Sequence, residues 1–284
     1  MPTGLFRIRL SDRSERLAAG EVDVGPDHLL PEHLTIEEIL GADDPSLLEA
    51  LARTGDHVAG EVEILAPIGS QEIWAAGVTY LRSRDARLEE SQEPSAYDRV
   101  YEAERPELFH KAAGWRAVGP RAPVGIRRDS GWNVPEPELA LVLDAHMRVV
   151  GYTLGNDMSS RQIEGENTLY LPQAKTFDGA CSLGPAIVPV ESASPPFTIS
   201  LIVEREGEHV VEAGTSTDAM ARSFEYLTAY LGRALSFPVG AVLLTGTGIV
   251  PEPAFTLRPG DVVRISAAGL GSLANPVEWV GSLA

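Results

Sequence analysis

The sequence has one cysteine, Cys181, among 284 residues. A disulfide within the chain and a metal cluster held by thiolates are both excluded, because each needs more than one cysteine. Nothing near Cys181 in the sequence indicates a stabilised, reactive thiolate. We therefore expect Cys181 to be a small packing residue.

Long apolar runs are also missing. No stretch approaches the roughly 18 continuous apolar residues of a transmembrane helix. The amino-terminal segment, MPTGLFRIRLSDRSERLAAG, alternates apolar and charged residues and has no signal-peptide cleavage pattern. We therefore expect a cytoplasmic protein that does not insert into a membrane.

Positive charge is scarce, and the net charge is −18 at pH 7. Nucleic acid is excluded as a partner because its phosphates demand a basic face. Only two of the 23 basic residues are lysines, Lys111 and Lys175, and the others are arginines. Base composition explains most of this bias, but not which positions kept lysine. Lysine can lose its proton in a protein and arginine cannot, so both lysines, Lys175 first, are candidates for proton chemistry.

The first 70 residues are predicted to form a separate small unit. GLFRIRL alternates as a strand does, and LTIEEIL and DDPSLLEALARTG are typical of short helices. The second helix is predicted to start at Asp44-Pro45 and to stop at Gly55. We expect a small N-terminal α/β domain over residues 1–70 and a catalytic domain over residues 71–284.

The pattern after residue 71 changes to short apolar runs separated by glycine and proline. With only two or three helical segments, such as residues 223–235, it favours an α+β, mainly β domain curled on itself. No segment of 20 to 50 residues repeats, which excludes propellers and solenoids.

A cluster of carboxylates is predicted at one end of a hairpin. Glu136 and Glu138 in VPEPELALVL share a strand face, because side chains at i and i+2 point the same way. A turn about His146 would bring Asp157 beside residue 135 or 136. Three converging carboxylates repel unless a cation lies among them, and oxygen ligands favour Mg²⁺, with Mn²⁺ or Ca²⁺ as substitutes. The alternative is a solvated strand end without an ion.

Four motifs carry a resemblance to a known family: VPEPELALVL, GYTLGNDMSSR, LPQAKTFDGACSLGPAIV and LLTGTG. In this order and spacing they resemble the fumarylacetoacetate hydrolase superfamily over most of residues 72–284. The resemblance implies a rolled mixed β-sheet domain behind a smaller N-terminal domain, assembled as a homodimer or homotetramer. It also implies the following site: metal binding by Glu136, Glu138 and Asp157, Lys175 in the same pocket, and substrate contact at Gly246 and Thr247.

The sequence departs from the family's carbon-carbon hydrolases after its first catalytic-domain strand. Those enzymes carry N-Y-x-x-H-x-x-E, whose His-Glu pair activates water, whereas this chain reads TYLRSRDA and places Ser83 and Ala86 at the pair's positions. Asp85, Glu89 or Glu90 are substitutes in principle, but a solvated helical face is the favoured interpretation of LEESQE. The water-activating pair itself is missing.

The variant motifs TYLRSR, RPELFHKA and EGENTLYLPQAK resemble the branch that dehydrates 2-keto-3-deoxy sugar acids. The resemblance implies an anionic keto-acid substrate, 2-keto-3-deoxy-D-arabinonate or -xylonate, and 2-oxoglutarate semialdehyde as product. It implies Lys175 and Glu107 as the acid-base pair; we expect Lys175 to be the base, with exchanged roles as the alternative. Ser83, Arg82 and Arg84 are candidate substrate ligands, since guanidinium groups bind anions. Surface salt bridging is the other interpretation of the two arginines.

Two further functions remain open. One is an acylpyruvate or fumarylpyruvate hydrolase, or an oxaloacetate-type decarboxylase, of the same superfamily. The other is an inactive binding protein with the same fold. We expect His110 to be a packed or hydrogen-bonded histidine and not a catalytic one. No histidine pair has a zinc-site spacing, and Glu164 and Glu166 are predicted in a loop near the site.

Overall fold

A computed structural model describes residues 2–44, 46–90 and 99–282 of the chain. Within these ranges the strands are β1 (Thr3–Arg9), β2 (Glu15–Glu21), β3 (His28–Leu29), β4 (Glu63–Leu65), β5 (Glu72–Gly77), β6 (Glu107–Ala113), β7 (Val124–Arg127), β8 (Asn133–Val134), β9 (Pro137–Leu143), β10 (Val149–Asp157), β11 (Ser159–Ser160), β12 (Cys181–Pro189), β13 (Thr198–Arg205), β14 (Glu208–Ser216), β15 (Ala241–Leu244), β16 (Val262–Ala267) and β17 (Gly271–Val280). The helices are α1 (Ile36–Leu40), α2 (Leu47–Ala52), α3 (Leu81–Glu90), α4 (Arg161–Glu166), α5 (Leu171–Lys175) and α6 (Phe224–Leu231). Short 3₁₀ turns lie at Gly114–Arg116, Thr168–Tyr170 and Thr217–Ala219.

The strands form two large mixed sheets. The first has ten strands in the order β3-β2-β1-β12-β10-β9-β15-β5-β6, with β4 paired to β1, and only β15 and β5 run parallel in it. The second has the order β14-β13-β16-β17-β7, with a parallel pair at β17 and β7. These mixed sheets confirm the predicted mainly β fold class.

The first sheet is strongly rolled. Three strands separate β6 from β10, so in a flat sheet they would lie roughly 19 Å apart at the usual spacing of about 4.8 Å. Yet Nζ of Lys111 in β6 lies 2.6 Å from Oδ1 of Asp157 in β10. The sheet must therefore curl enough to bring its β6 edge back over β10.

The central strands β9, β10 and β12 are buried on both faces. One face of β9 places Leu139, Leu141 and Leu143 in the core that the two sheets share. The other face places Ala140 and Val142 in two smaller apolar clusters. Strands covered on both sides have continuous apolar sequences, which explains the unbroken apolar run LALVL after Glu138.

The predicted hairpin of β9 and β10 is confirmed. At its turn, the carboxylate of Asp144 accepts hydrogen bonds from the backbone nitrogens of His146 at 2.8 Å and Arg148 at 2.9 Å. At its open end, the backbone nitrogen of Asp157 donates to the carbonyl oxygen of Glu136 at 2.9 Å. The hairpin therefore puts Asp157 beside residue 136, one of the two predicted positions.

The amino-terminal strands extend the first sheet. β1 pairs with β12 at Leu5 and Ile187, and β2 and β4 flank β1. Apolar side chains of α1 and α2, such as Ile39 and Leu47, pack in one cluster with Ile187. The division into two domains at residue 70 stays a prediction.

The start and the end of α2 differ from the prediction. Ser46 caps the helix, because its hydroxyl accepts a hydrogen bond from the backbone nitrogen of Glu49 at 3.1 Å. The helix therefore begins later than Asp44, and it ends before Gly55. Pro45, part of the predicted start, lies outside the described residues.

The expectation of two or three helical segments after residue 71 is wrong. The described part of that region contains α3 to α6, and α4 and α5 have only six and five residues. Segments this short cannot display a helical period in the sequence. Among the described residues, no helix combines the length and the apolar character needed to cross a bilayer.

Candidate active site

The carboxylate cluster (Glu136, Glu138 and Asp157) lies at the open end of the β9–β10 hairpin. Each residue contributes an oxygen within 4.8 Å of the other two, and none is more than 4% exposed. Ligand oxygens around Mg²⁺, at about 2.1 Å from the ion, lie roughly 3 to 4 Å apart, which is comparable. The alternative of a solvated strand end is wrong, because these side chains are cut off from water.

Lys175 lies among the carboxylates. Its Nζ is 2.8 Å from Oε2 of Glu136 and 3.1 Å from Oδ2 of Asp157, and it donates to Oγ of Ser159 at 2.6 Å. Lys175 is the last residue of α5, whose start contains Pro172, a residue tolerated in the first helical turn. This short helix thus places the buried amino group of Lys175 beside the carboxylate cluster.

Two more cations pair with Glu136 and Asp157. Nζ of Lys111 lies 2.6 Å from Oδ1 of Asp157, and Nη2 of Arg161 lies 2.9 Å from Oε1 of Glu136. Every oxygen of these two carboxylates therefore faces a cation. Buried charges persist only when they are paired in this way.

Glu138 has a different environment. Its Oε2 accepts a hydrogen bond from the backbone nitrogen of Gly246 at 2.6 Å. Burial, and then the negative charges of Asp157 and Glu136, raise the pKa of Glu138 well above its usual value. Its negative charge is therefore unfavourable without a further cation. A hard divalent ion such as Mg²⁺ would relieve this repulsion, so the residues present fit the metal.

A narrow cavity opens onto the carboxylate cluster. Its volume is about 20 Å³, room for one ion or one water molecule. Its lining includes Glu107, Phe109, Glu164 and Leu171 beside the cluster and Lys175. The cavity brings the two predicted acid-base residues, Glu107 and Lys175, to one place.

Glu107 reaches this cavity because its neighbour is glycine. Gly77 in β5 pairs with Glu107 in β6. A Cβ atom at Gly77 would lie 2.0 Å from Oε2 of Glu107, so any larger residue would displace the carboxyl group. The absence of a side chain at Gly77 gives Glu107 its position.

Gly246 and Thr247 also line the cavity, as predicted for substrate contacts. Gly246 has φ +89°, and a Cβ atom there would lie 2.0 Å from Oγ1 of Thr79. Only glycine fits this turn, which points a backbone N–H at Glu138. A substrate role for Gly246 and Thr247 stays a prediction.

Of the other predicted substrate residues, one lines the cavity and two do not. Ser83 lines the cavity, although its hydroxyl donates to the carbonyl oxygen of Tyr80 at 2.8 Å. Arg82 is exposed, and Arg84 pairs with Asp85 at 2.7 Å and stacks on Tyr101. Neither arginine belongs to the described lining, so their substrate role stays a prediction.

The positions of the missing His-Glu pair face inward. Ser83 and Ala86 are both buried on α3. The substitute base Asp85 is 43% exposed and paired with Arg84, outside the described lining. The side chains of Glu89 and Glu90 lie outside the described residues.

Two residues at the site were underrated or missed. Lys111 ranked below Lys175 in the sequence, and its signal was its rarity as one of two lysines. Arg161 had no assigned role, although it closes the GYTLGNDMSSR motif. Glu164 lines the cavity from α4, a helix where a loop was expected, with an oxygen 3.9 Å from Nη1 of Arg161.

Cys181 and His110 take no part in this site. Cys181 is 1% exposed, and burial raises the pKa of its thiol to about 12, which confirms its packing role. His110 is exposed on β6 with its ring edge-on to Trp74 at 5.7 Å.

A rolled mixed sheet that carries a buried carboxylate cluster is the architecture of a class of metal-binding proteins. The family to which this chain belongs follows from its sequence. A family model described as fumarylacetoacetate (FAA) hydrolase C-terminal matches residues 72–278. The chain belongs to the fumarylacetoacetate hydrolase family. The resemblance seen in the four motifs is thereby confirmed.

Individual relatives of the chain indicate an activity within this family. A probable 2-keto-3-deoxyxylonate dehydratase of Haloferax volcanii is 50% identical over 75% of this chain and 74% of its own length. A 2-dehydro-3-deoxy-D-arabinonate dehydratase of Saccharolobus solfataricus is 38% identical over 85% of this chain and 81% of its own. A solved 2-keto-3-deoxy-D-arabinonate dehydratase complexed with magnesium and 2,5-dioxopentanoate superposes with a TM-score of 0.84, at 32% identity over 98% of this chain and 99% of that one.

Proposed function

We propose that the chain is a Mg²⁺-dependent hydro-lyase that converts a 2-keto-3-deoxy-pentonate to 2-oxoglutarate semialdehyde, also called 2,5-dioxopentanoate. The observation that carries this proposal is the buried carboxylate cluster with Lys175, in a chain 50% identical to a probable dehydratase. A 2-keto-3-deoxy-pentonate has one stereocentre, C4. The D-arabinonate and D-xylonate names therefore describe one compound.

Glu136, Glu138 and Asp157 would hold the metal. Bound Mg²⁺ supplies positive charge beside the carboxylate and keto oxygens of the substrate, where negative charge grows when a C3 proton leaves. The protein's own contribution is a buried, preorganised set of carboxylates, each oriented by a cation or a backbone N–H.

Lys175 and Glu107 would move the protons. Once unprotonated, Lys175 would take a proton from C3, and Glu107 as a carboxylic acid would donate one to the C4 hydroxyl, which leaves as water. The resulting C3=C4 double bond is conjugated with the keto group. Transfer of a C5 proton to C3 forms a C4=C5 enol, and its tautomer is the aldehyde. The sum is loss of one water molecule, with no oxidant or reductant.

Hydrolysis of a carbon-carbon bond is less compatible with this site. It needs a base that activates water, and the positions of the family's His-Glu pair hold Ser83 and Ala86. Asp85 is turned to Arg84 and to solvent. These observations favour dehydration over the hydrolase alternative.

The proposal extends to assembly and location. A homodimer or homotetramer is typical of the family and stays a proposal for this chain. A cytoplasmic location is part of the same proposal, and a single cysteine that is buried and free is compatible with it.

The test is turnover of the D and L enantiomers of 2-keto-3-deoxy-pentonate. We expect purified protein with Mg²⁺ to form 2-oxoglutarate semialdehyde from one of them, detected by chromatography against a standard, and EDTA to stop the reaction. No product from either enantiomer would refute the assignment. Release of pyruvate from an acylpyruvate would favour the hydrolase instead.

A further inference from the structure

Lys111 is not part of the acid-base pair, yet it is fully buried at the site. Its Nζ lies 2.6 Å from Oδ1 of Asp157 and donates to the carbonyl oxygens of Met158, at 2.9 Å, and of Lys175. Two of the three N–H donors of the ammonium therefore have carbonyl acceptors, and the contact with Asp157 is an ion pair. The head group is therefore held at one point by three oxygens.

The two lysines of the chain contact different oxygens of the same carboxylate, that of Asp157. Lys111 contacts Oδ1 of Asp157, and Lys175 contacts Oδ2. The two oxygens of Glu136 also contact different cations, because Oε1 faces Arg161 and Oε2 faces Lys175. The inner oxygens, Oδ2 and Oε2, thus share the Lys175 ammonium, and the outer oxygens are fixed by Lys111 and Arg161.

We propose that Lys111 is a positioning residue that orients the Asp157 carboxylate for the divalent metal and holds the main chain at Lys175. The inference rests on the metal site of the proposed function but not on the identity of the substrate. A compact ammonium suits this place better than a planar guanidinium with five donors. This accounts for a lysine at position 111 in a chain whose basic residues, apart from Lys175, are otherwise all arginines.

The test is Mn²⁺ binding without substrate, measured from the paramagnetic resonance signal of free Mn²⁺. Loss of a group that orients a metal ligand typically lowers affinity about 10- to 100-fold, and we expect this for Lys111→Met. Lys111→Arg keeps the charge and should fall between Lys111→Met and the wild type. At saturating Mn²⁺, kcat of Lys111→Met should remain below wild type, because the main chain at Lys175 has lost its support.

Arg205→Met is the matched control. Arg205 pairs with buried Asp261 at 2.7 Å in the second sheet. Its loss should lower the melting temperature and leave Mn²⁺ affinity at the wild-type value. An equal loss of affinity in this variant would show that general destabilisation explains the Lys111 result, and would overturn the inference.

Wild-type Mn²⁺ affinity in Lys111→Met would also overturn it. If Lys111→Met does not fold, the Mn²⁺ affinity of Lys111→Arg is the deciding measurement. A wild-type affinity in Lys111→Arg would then overturn the inference. Failure of the proposed function is distinguishable: Mn²⁺ binding that survives Glu138→Gln would remove the carboxylate cluster as the metal site. Absent turnover with Glu138-dependent Mn²⁺ binding would refute only the substrate.

Discussion

Two groups of potential metal ligands lie in the described part of this chain, and burial distinguishes them. The carboxylate cluster is buried, whereas the exposed group consists of Asp27, His28 and His57. Ligand atoms lie within 4.8 Å of one another in both groups. In the exposed group, the side chains of Asp27 and His57 are 62% and 76% exposed. Convergence of ligand atoms alone therefore does not mark a site.

The exposed group satisfies its own hydrogen-bonding needs. Nδ1 of each histidine lies 3.1 Å from the carboxylate of Asp27, and the two rings stack at 4.1 Å. No spacing in the sequence suggested this histidine pair, because it forms only where a β-bridge joins His28 to the distant His57. In the carboxylate cluster, by contrast, water cannot screen the charges. Three buried cations pair with Glu136 and Asp157, and burial and the negative charges of these two residues raise the pKa of Glu138.

Of the substitutions in the two groups, Glu138→Gln should have the largest effect on metal binding and turnover. Glutamine can still accept the hydrogen bond from Gly246 but carries no charge for the metal. We expect Mn²⁺ affinity to fall by more than about 100-fold, beyond the range for residues that only orient ligands, and Mg²⁺-dependent turnover to disappear. Calorimetry and product assays measure both. Turnover with wild-type Mg²⁺ dependence would remove the carboxylate cluster from the mechanism.

Lys175→Met should separate proton transfer from metal binding. We expect kcat to fall about 10²- to 10⁴-fold, the usual contribution of a general base. Mn²⁺ affinity should not fall, because the ammonium contacts the inner oxygens of Glu136 and Asp157. Parallel loss of Mn²⁺ binding would mean that Lys175 maintains the site instead of moving a proton.

The raised pKa of Glu138 predicts a pH dependence. Above its usual pKa of 4.5, the folded metal-free protein retains a proton that the unfolded chain releases. Stability from this group is therefore greatest at low pH and is lost as pH rises towards the raised pKa. Metal binding expels the same proton, so Mn²⁺ affinity should rise with pH across this window. Melting and Mn²⁺ titrations between about pH 5 and pH 8 measure both, with Glu138→Gln as the less pH-dependent control. An affinity independent of pH would contradict the expectation.

Changes in the exposed group should have the smallest effect. Asp27→Asn and His57→Ala remove contacts that water replaces, so we expect the free energy of unfolding to change by less than about 0.5 kcal/mol. Mg²⁺-dependent turnover should be unchanged. Denaturant titration and the product assay measure these outcomes. A loss of turnover would give the exposed group a role that its solvation argues against.

Local rules predicted much of the fold. The two-residue period located β9 and β10, and the Asp144 turn set the register that places Asp157 beside Glu136. The same rules failed for α4 and α5, which are too short to show a period. They also assigned no partner to Lys111, because its contact with Asp157 exists only when the sheet rolls.

The sequence by itself determined which side chains are available for chemistry: the carboxylates, two lysines kept in an arginine-rich chain, and the loss of the His-Glu pair. Only the tertiary structure decided how they act together. It buried the carboxylate cluster, placed Gly246 against Glu138 and brought both lysines to Asp157. Burial and contacts between distant strands depend on the packing of the whole rolled sheet, which no local pattern in the sequence encodes.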